Sequence, residues 1–199
     1  VLTIGKGNPN DSIASNIFAW DEVNQFMAAA FDGGNYPTGY SGYMPIVSLQ
    51  TIPTSGIYIS GAVTSGLGSN YQLFSTAGEG LYWCAAEAGV VVEVEPEKLQ
   101  GRYSIAVMNS NTGNDTTDYA TRASGNAIAF VAQQELNASV TLWSQYLLSS
   151  GRIGPAEQEL TVGLSLDSCF GREDDACGIA IGWTRPSREA YPGWRENIQ

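Results

Sequence analysis

In the stretch ELTVGLSLD (159–167) every second residue is apolar: Leu160, Val162, Leu164 and Leu166. An extended chain puts residues i, i+2 and i+4 on one face, whereas a helix throws alternate residues to opposite sides. The same two-residue period recurs in YSIAVMN (103–109), where Ile105 and Val107 share a face. Further strand-like segments lie at 2–5, 46–52, 56–63, 71–76, 81–87, 90–95, 126–133, 138–148 and 178–184. Between them stand residues that tolerate tight turns: Gly33-Gly34, Gly66 to Asn70, Gly78 to Gly80, Asn111 to Asn114, and Ser150-Gly151.

Short strands at this spacing predict an all-β fold, an antiparallel barrel or sandwich of about ten short strands with long loops. The 199 residues suit one domain, 1–199, with no internal repeat or linker. Helix is confined to one candidate, WDEVNQFMAAAF (20–31), in which Trp20, Val23, Met27, Ala30 and Phe31 fall on one helical face before Gly33-Gly34 stops it. The polar stretch 109–125 reads as a surface loop. The chain opens on Val1 with no basic-then-apolar leader, the form of a mature or excised piece of something longer.

Charge removes several classes of partner. Twenty acids stand against nine bases, a net charge of −11, and the only lysines are Lys6 and Lys98. No basic cluster is present to neutralise phosphates, so neither nucleic acid nor an anionic membrane surface is expected as a partner. No apolar run reaches the ~18 residues that a spanning helix needs, so no membrane insertion is expected.

The absence of histidine removes Ser-His-Asp and Cys-His catalysis and imidazole metal ligands; no cofactor and no metal are expected. Carboxylate chemistry survives that cull. On a strand, Glu93 and Glu95 of VVVEVEP share a face with backbones roughly 6–7 Å apart, near the spacing of an inverting glycosidase's acid and base. The plainer reading buries Val90, Val92 and Val94 and leaves the two glutamates wet. Two oxygen-rich loops, Asn109 to Asp118 and Glu173 to Asp175, lack the spacing of a calcium loop. Asn10, Asn114 and Asn137 each begin an N-x-[ST] sequon. Cys169 and Cys177 bracket a polar loop and could close a small disulfide ring, while Cys84 in LYWCAAE reads as a packed free thiol.

Aromatic residues outside the strands gather twice. Asn35, Tyr36, Tyr40 and Tyr43 lie in GGNYPTGYSGYMP (33–45), and Trp183, Arg185, Arg188, Tyr191, Trp194 and Arg195 crowd the C-terminus. Such residues bring large rigid contact area with a polar handle. The first group is the candidate receptor or glycan contact, and the second the candidate dimer or partner interface. Either group could instead pack back onto the fold with its polar tips bonded to backbone.

An acidic, histidine-free β domain rich in Gly, Ser and Thr, with segments such as GEGLYWCAAEAG and GNAIAFVAQQELNASVTLW, resembles the projection or spike domain of a non-enveloped RNA-virus capsid, most closely an astrovirus (avian) capsid spike. The resemblance implies a non-catalytic homodimer on the virion surface that attaches to a host-cell receptor, a protein or a glycan. The alternatives are a secreted carbohydrate-binding module or lectin, and a glycoside hydrolase using Glu93 and Glu95.

Overall fold

The structure, a computed structural model, describes residues 1–19, 26, 28, 30–31, 44–65, 78, 80–96, 98–112, 122–168, 170–172, 175–194 and 197–198. Among the described residues ten strands form one sheet: β1 (Leu2–Gly7), β2 (Met44–Thr54), β3 (Ile57–Ser65), β4 (Tyr82–Val94), β5 (Leu99–Thr112), β6 (Arg122–Asn137), β7 (Val140–Ser149), β8 (Ala156–Asp167), β9 (Ala176–Pro186) and β10 (Asn197–Ile198). Each pairs antiparallel with the next in chain order, so the sheet is a pure meander with β1 and β10 at its edges. The all-β expectation holds. Among the described residues there is one sheet, not two packed against each other, and it is not closed.

The segments 81–87 and 90–95, expected as two strands, are one strand. Gly89 does not mark a turn: a Cβ there would run into the Tyr58 ring of β3, so the glycine makes room for a side chain and the ladder continues. The expected strand 71–76 lies outside the described residues. So does most of the expected helix 20–31; of its described residues, Phe31 closes a turn by donating its N–H to the Ala28 carbonyl at 2.8 Å.

The two ends of the sheet differ. At one end β2–β3, β4–β5 and β6–β7 are joined by tight turns at 55–56, 95–98 and 138–139, and β8–β9 by residues 168–175. At the other end the connections are longer: 8–43, 66–81, 113–121 and 187–196, with 150–155 the shortest. The first of these does not stay at the end. Its residues Ile13 and Ala14 join a buried cluster with Ile46, Ala62, Trp83, Ala106, Met108, Ala127, Ala129, Val131 and Leu147. Further along, Ala19, Phe26 and Phe31 pack on Trp143 and Ala180. The connection therefore crosses one face of the sheet from β2 to β9, and that face is here called inner.

The two faces have opposite chemistry. Side chains at the inner positions are buried and largely polar or small: Tyr58, Ser60, Glu87, Ser104, Ser110, Gln133, Thr141, Gln145, Glu159, Thr161 and Thr184, with Trp83 and Trp143 among them. Side chains at the outer positions are apolar yet exposed: Leu2, Ile4, Val47, Leu49, Ile59, Val63, Ile105, Val107, Phe130, Leu142, Leu160, Val162, Leu166, Ile179 and Ile181. The two-residue alternation holds, but the face that is apolar is the exposed one. Val90, Val92 and Val94, expected as a buried face, are exposed, and Cys84, expected to be packed, is a half-buried free thiol on the outer face.

Candidate functional site

On the outer face the exposed apolar residues make a continuous band. One row across the sheet runs Ile59, Ala88, Ile105, Phe130, Tyr146, Leu160 and Trp183; the next runs Ile57, Val90, Tyr103, Ala132, Ser144, Val162 and Ile181. Phe130 and Tyr146 stack across β6 and β7 with centroids 6.4 Å apart. Polar residues bound the band. Toward the long connections the Tyr82 hydroxyl donates to Asn109 Oδ1 at 2.9 Å, and Asn109 Nδ2 donates to Asn126 Oδ1 at 2.7 Å. Toward the tight turns the Tyr103 hydroxyl donates to Gln134 Oε1 at 2.6 Å. Both tyrosines lay the ring on apolar surface and turn the hydroxyl to the wet edge, the habit of aromatic residues at a membrane interface.

The band also drifts along the strands. On β2 it centres near Ser48, between Val47 and Leu49; on β8 it centres near Gly163, between Leu160 and Leu166. Following the register from Ser48 through Ala62, Ala85, Met108, Ala127 and Ser149 arrives at about residue 157 of β8, some six residues short of that centre. Six residues at ~3.3 Å are about 20 Å along the strands, gained over six strand spacings of ~4.8 Å; a level band then needs strands tilted by roughly 35°, the tilt of strands in a transmembrane barrel.

The inner face carries a polar, charged wall. Glu87 on β4 projects inward with 1% of its side chain exposed, and it is fully engaged. Its Oε1 accepts from the Tyr58 hydroxyl of β3 at 2.6 Å and pairs with the Arg102 guanidinium of β5 at 3.4 Å, while its Oε2 accepts from the Ala14 N–H at 2.7 Å. Arg102 also donates to the Tyr58 hydroxyl at 2.9 Å and to the Ser15 carbonyl at 3.3 Å, and its guanidinium carbon lies 5.2 Å from the Tyr58 ring centre. Further along, Asn16 Oδ1 accepts from Gln133 Nε2 at 2.8 Å. Below this junction opens a cavity of about 570 Å³ lined by Gln50, Tyr58, Glu93, Gln100 and Arg102, and a smaller one of about 210 Å³ lies between β1–β3 and Asp11, Ser12 and Arg102. Burial raises the Asp11 carboxyl above its ordinary range.

Residues 1–198 match the sequence model of the family described as "Carbohydrate-selective porin, OprB family". The chain belongs to the OprB family of carbohydrate-selective porins. Among solved structures, that of Pseudomonas putida OprB superposes with a TM-score of 0.69 at 15% identity, over 95% of this chain and 51% of that one. The chain thus spans about half the length of that OprB structure. No curated protein sequence matches it.

Membership in the OprB family overturns the spike reading, and with it the virion surface, the host-cell receptor and the spike homodimer that the resemblance implied. The expectation of no membrane insertion fails for a physical reason. A spanning strand needs only 9–11 residues with every second one apolar, so a search for ~18 consecutive apolar residues is blind to it. The porin family agrees with the absence of catalysis expected from the sequence. The hydrolase alternative falls also on geometry: Glu93 ends β4 on the inner face, but Glu95 sits beyond it in the turn, so the two do not share a strand face.

Of the other expected sites, Asn35, Tyr36, Tyr40, Tyr43, Arg195 and Cys169 lie outside the described residues. Cys177 is disulfide-bonded. Trp183 lies on the outer face of β9 opposite Leu160, Arg185 pairs with Glu157 at 3.5 Å, and the Arg188 N–H donates to the same carboxylate at 3.1 Å. The Tyr191 and Trp194 rings meet at a tilt of 35° with centroids 4.8 Å apart, and Trp194 is 69% exposed. The tail residues thus divide between the outer face of the sheet and the end of the long connections, and do not form one patch. Among the described residues no group of three acidic or cysteine side chains could hold a metal ion; Asn111 is occupied by the Tyr82 N–H and the Gly80 carbonyl, and Asp175 by Arg172. Sequence reasoning missed Tyr58, Glu87 and Arg102. The available signal was Glu87 itself, an acid alternating with Trp83 and Ala85 in a strand that otherwise reads as apolar.

Proposed function

We propose that this chain forms part of a β-barrel channel of the bacterial outer membrane that passes small carbohydrates by diffusion. The observation that carries the proposal is the reversal of faces: a band of exposed aliphatic side chains outside, edged by Tyr82 and Tyr103, and a polar, charged wall inside. In water that arrangement would be an aggregation hazard, since monomers rarely expose apolar patches beyond a few hundred Å². In lipid it suits the bilayer, and the backbones of β2 to β8 each have a hydrogen-bonded strand on both sides. The long connections correspond to extracellular loops and the tight turns to periplasmic ones.

A sugar offers many hydroxyls, each both donor and acceptor, and no charge. Tyr58, Gln50, Gln100, Glu93 and Arg102 offer fixed donors and acceptors of that kind along the wall. Trp183 and Trp194 suit the interfacial belt, and Cys169 is the natural partner of Cys177 across the loop that follows β8. The test is reconstitution of the full-length protein into liposomes: swelling in glucose, with slower swelling in amino acids of similar size, is expected. Vesicles that stay osmotically tight to both solutes would refute the channel.

A further inference from the structure

The junction at Glu87 is built for more than lining a pore. Ala14 has φ of 54°, in the left-handed region where a Cβ crowds the backbone. A loop residue takes that conformation only where its surroundings hold it. Here they do: its N–H is drawn onto a buried carboxylate at 2.7 Å, the next residue's carbonyl onto the Arg102 guanidinium, and its methyl group and the Ile13 side chain into the apolar cluster. Glu87 and Arg102 stand on β4 and β5, in the sheet, and they grip one backbone group on each of two consecutive residues, Ala14 and Ser15, of a segment that belongs to no strand.

We propose that Glu87 is a latch: a positioning residue that, with Arg102, pins residues 12–16 to the inner wall and so fixes the free cross-section of the pore. The proposal rests on the channel reading above. An alanine at 87 removes both the acceptor for the Ala14 N–H and the acid beside Arg102, so the segment detaches into the lumen; a glutamine keeps an acceptor oxygen and loses only the charge. Tyr58 orients the carboxylate and contacts nothing in the segment directly among its described hydrogen bonds.

The experiment compares wild type, Glu87→Gln, Glu87→Ala, and Glu87→Ala combined with Ser12→Cys and Ser48→Cys, all in the full-length protein. The Ser12 and Ser48 hydroxyls lie 3.4 Å apart, so an oxidised cysteine pair there ties the segment to β2 independently of Glu87. Amide exchange at 12–16 is expected to rise ~10- to 100-fold in Glu87→Ala, the shift that follows loss of hydrogen bonds to a charged group. Single-channel conductance in planar bilayers should change and become noisier, less so in Glu87→Gln. Oxidising the cysteine pair should restore the wild-type trace, and reducing it should abolish the rescue. Unchanged exchange and conductance in folded Glu87→Gln and Glu87→Ala overturn the latch, as does an oxidised pair that restores nothing. If Glu87→Ala does not assemble, Glu87→Gln alone decides by the same readouts. A wild-type protein that conducts no glucose refutes the channel, and amide exchange then still judges the latch.

Discussion

Ile105 lies in the middle of the outer band on β5, between Tyr103 and Val107, with 43% of its surface exposed and Ala88 and Phe130 beside it. In a water-soluble sheet, Ile105→Lys would be a surface change worth within about 0.5 kcal/mol either way. In a bilayer the same lysine lies near the midplane, where a cation on the lipid face of a barrel costs about 2–4 kcal/mol. A 1.4 kcal/mol difference is tenfold, so the folding equilibrium should fall by a factor of roughly 30 to 1,000. Leu136→Lys is the internal control: the same chemistry beyond Gln134, beside the tight turn, where the cost drops to about 0–1 kcal/mol. Reversible urea unfolding from phospholipid vesicles, followed by the fluorescence of the buried Trp83 and Trp143, measures both. A loss at Ile105 no larger than that at Leu136 would refute a lipid-facing outer side.

Trp143 is completely buried between Phe26 and Phe31 and donates its indole N–H to Ser165 at 3.2 Å, so Trp143→Ala should cost about 3–5 kcal/mol in the same unfolding assay. Gly163 faces that indole so closely that a Cβ would overlap it, and Gly163→Ala should cost about 1–3 kcal/mol through overpacking, with the loss relieved in the Trp143→Phe background. Asp11 has a folded-state carboxyl raised by burial, so the folded protein binds its proton more tightly than the unfolded chain. That stability is present below the unfolded value of 3.8 and is lost as pH rises through the raised folded value; Asp11→Asn should flatten stability against pH in that window. Titration of the denatured, unreduced protein should count one free thiol, Cys84, and three after reduction, with Cys169 and Cys177 recovered in one linked peptide.

How much of this was legible in the sequence depends on a symmetry of the two-residue period. Leu160, Val162, Leu164 and Leu166 share a face in any strand, and the register bears that out. Period two does not say whether the shared face meets a protein core or lipid, because both are apolar. What could have broken the tie was the other face. Ser60, Gln133, Gln145, Glu159 and Thr161 are too polar to be the outside of a sandwich's inner leucines and too uncharged to be an ordinary surface, and only 15% of the chain is charged. The break expected between the segments 81–87 and 90–95 falls at Gly89 for a different reason. That glycine's role depends on Tyr58, thirty-one residues earlier in the chain and adjacent only once β3 and β4 pair. The Glu87 junction was hidden likewise, since it joins four segments that the sequence keeps apart.

The most direct test is a nitroxide scan of β5, one cysteine at a time from Tyr103 to Asn109 on a Cys84→Ser background, in lipid bilayers. Collision with oxygen should be high, and collision with a water-soluble nickel chelate low, at 105 and 107, with 103 intermediate at the edge of the band, while 104, 106 and 108 show neither maximum. Chelate-accessible spin labels at 105 and 107, or accessibility without a two-residue period, would contradict a strand that faces lipid on one side and the pore on the other.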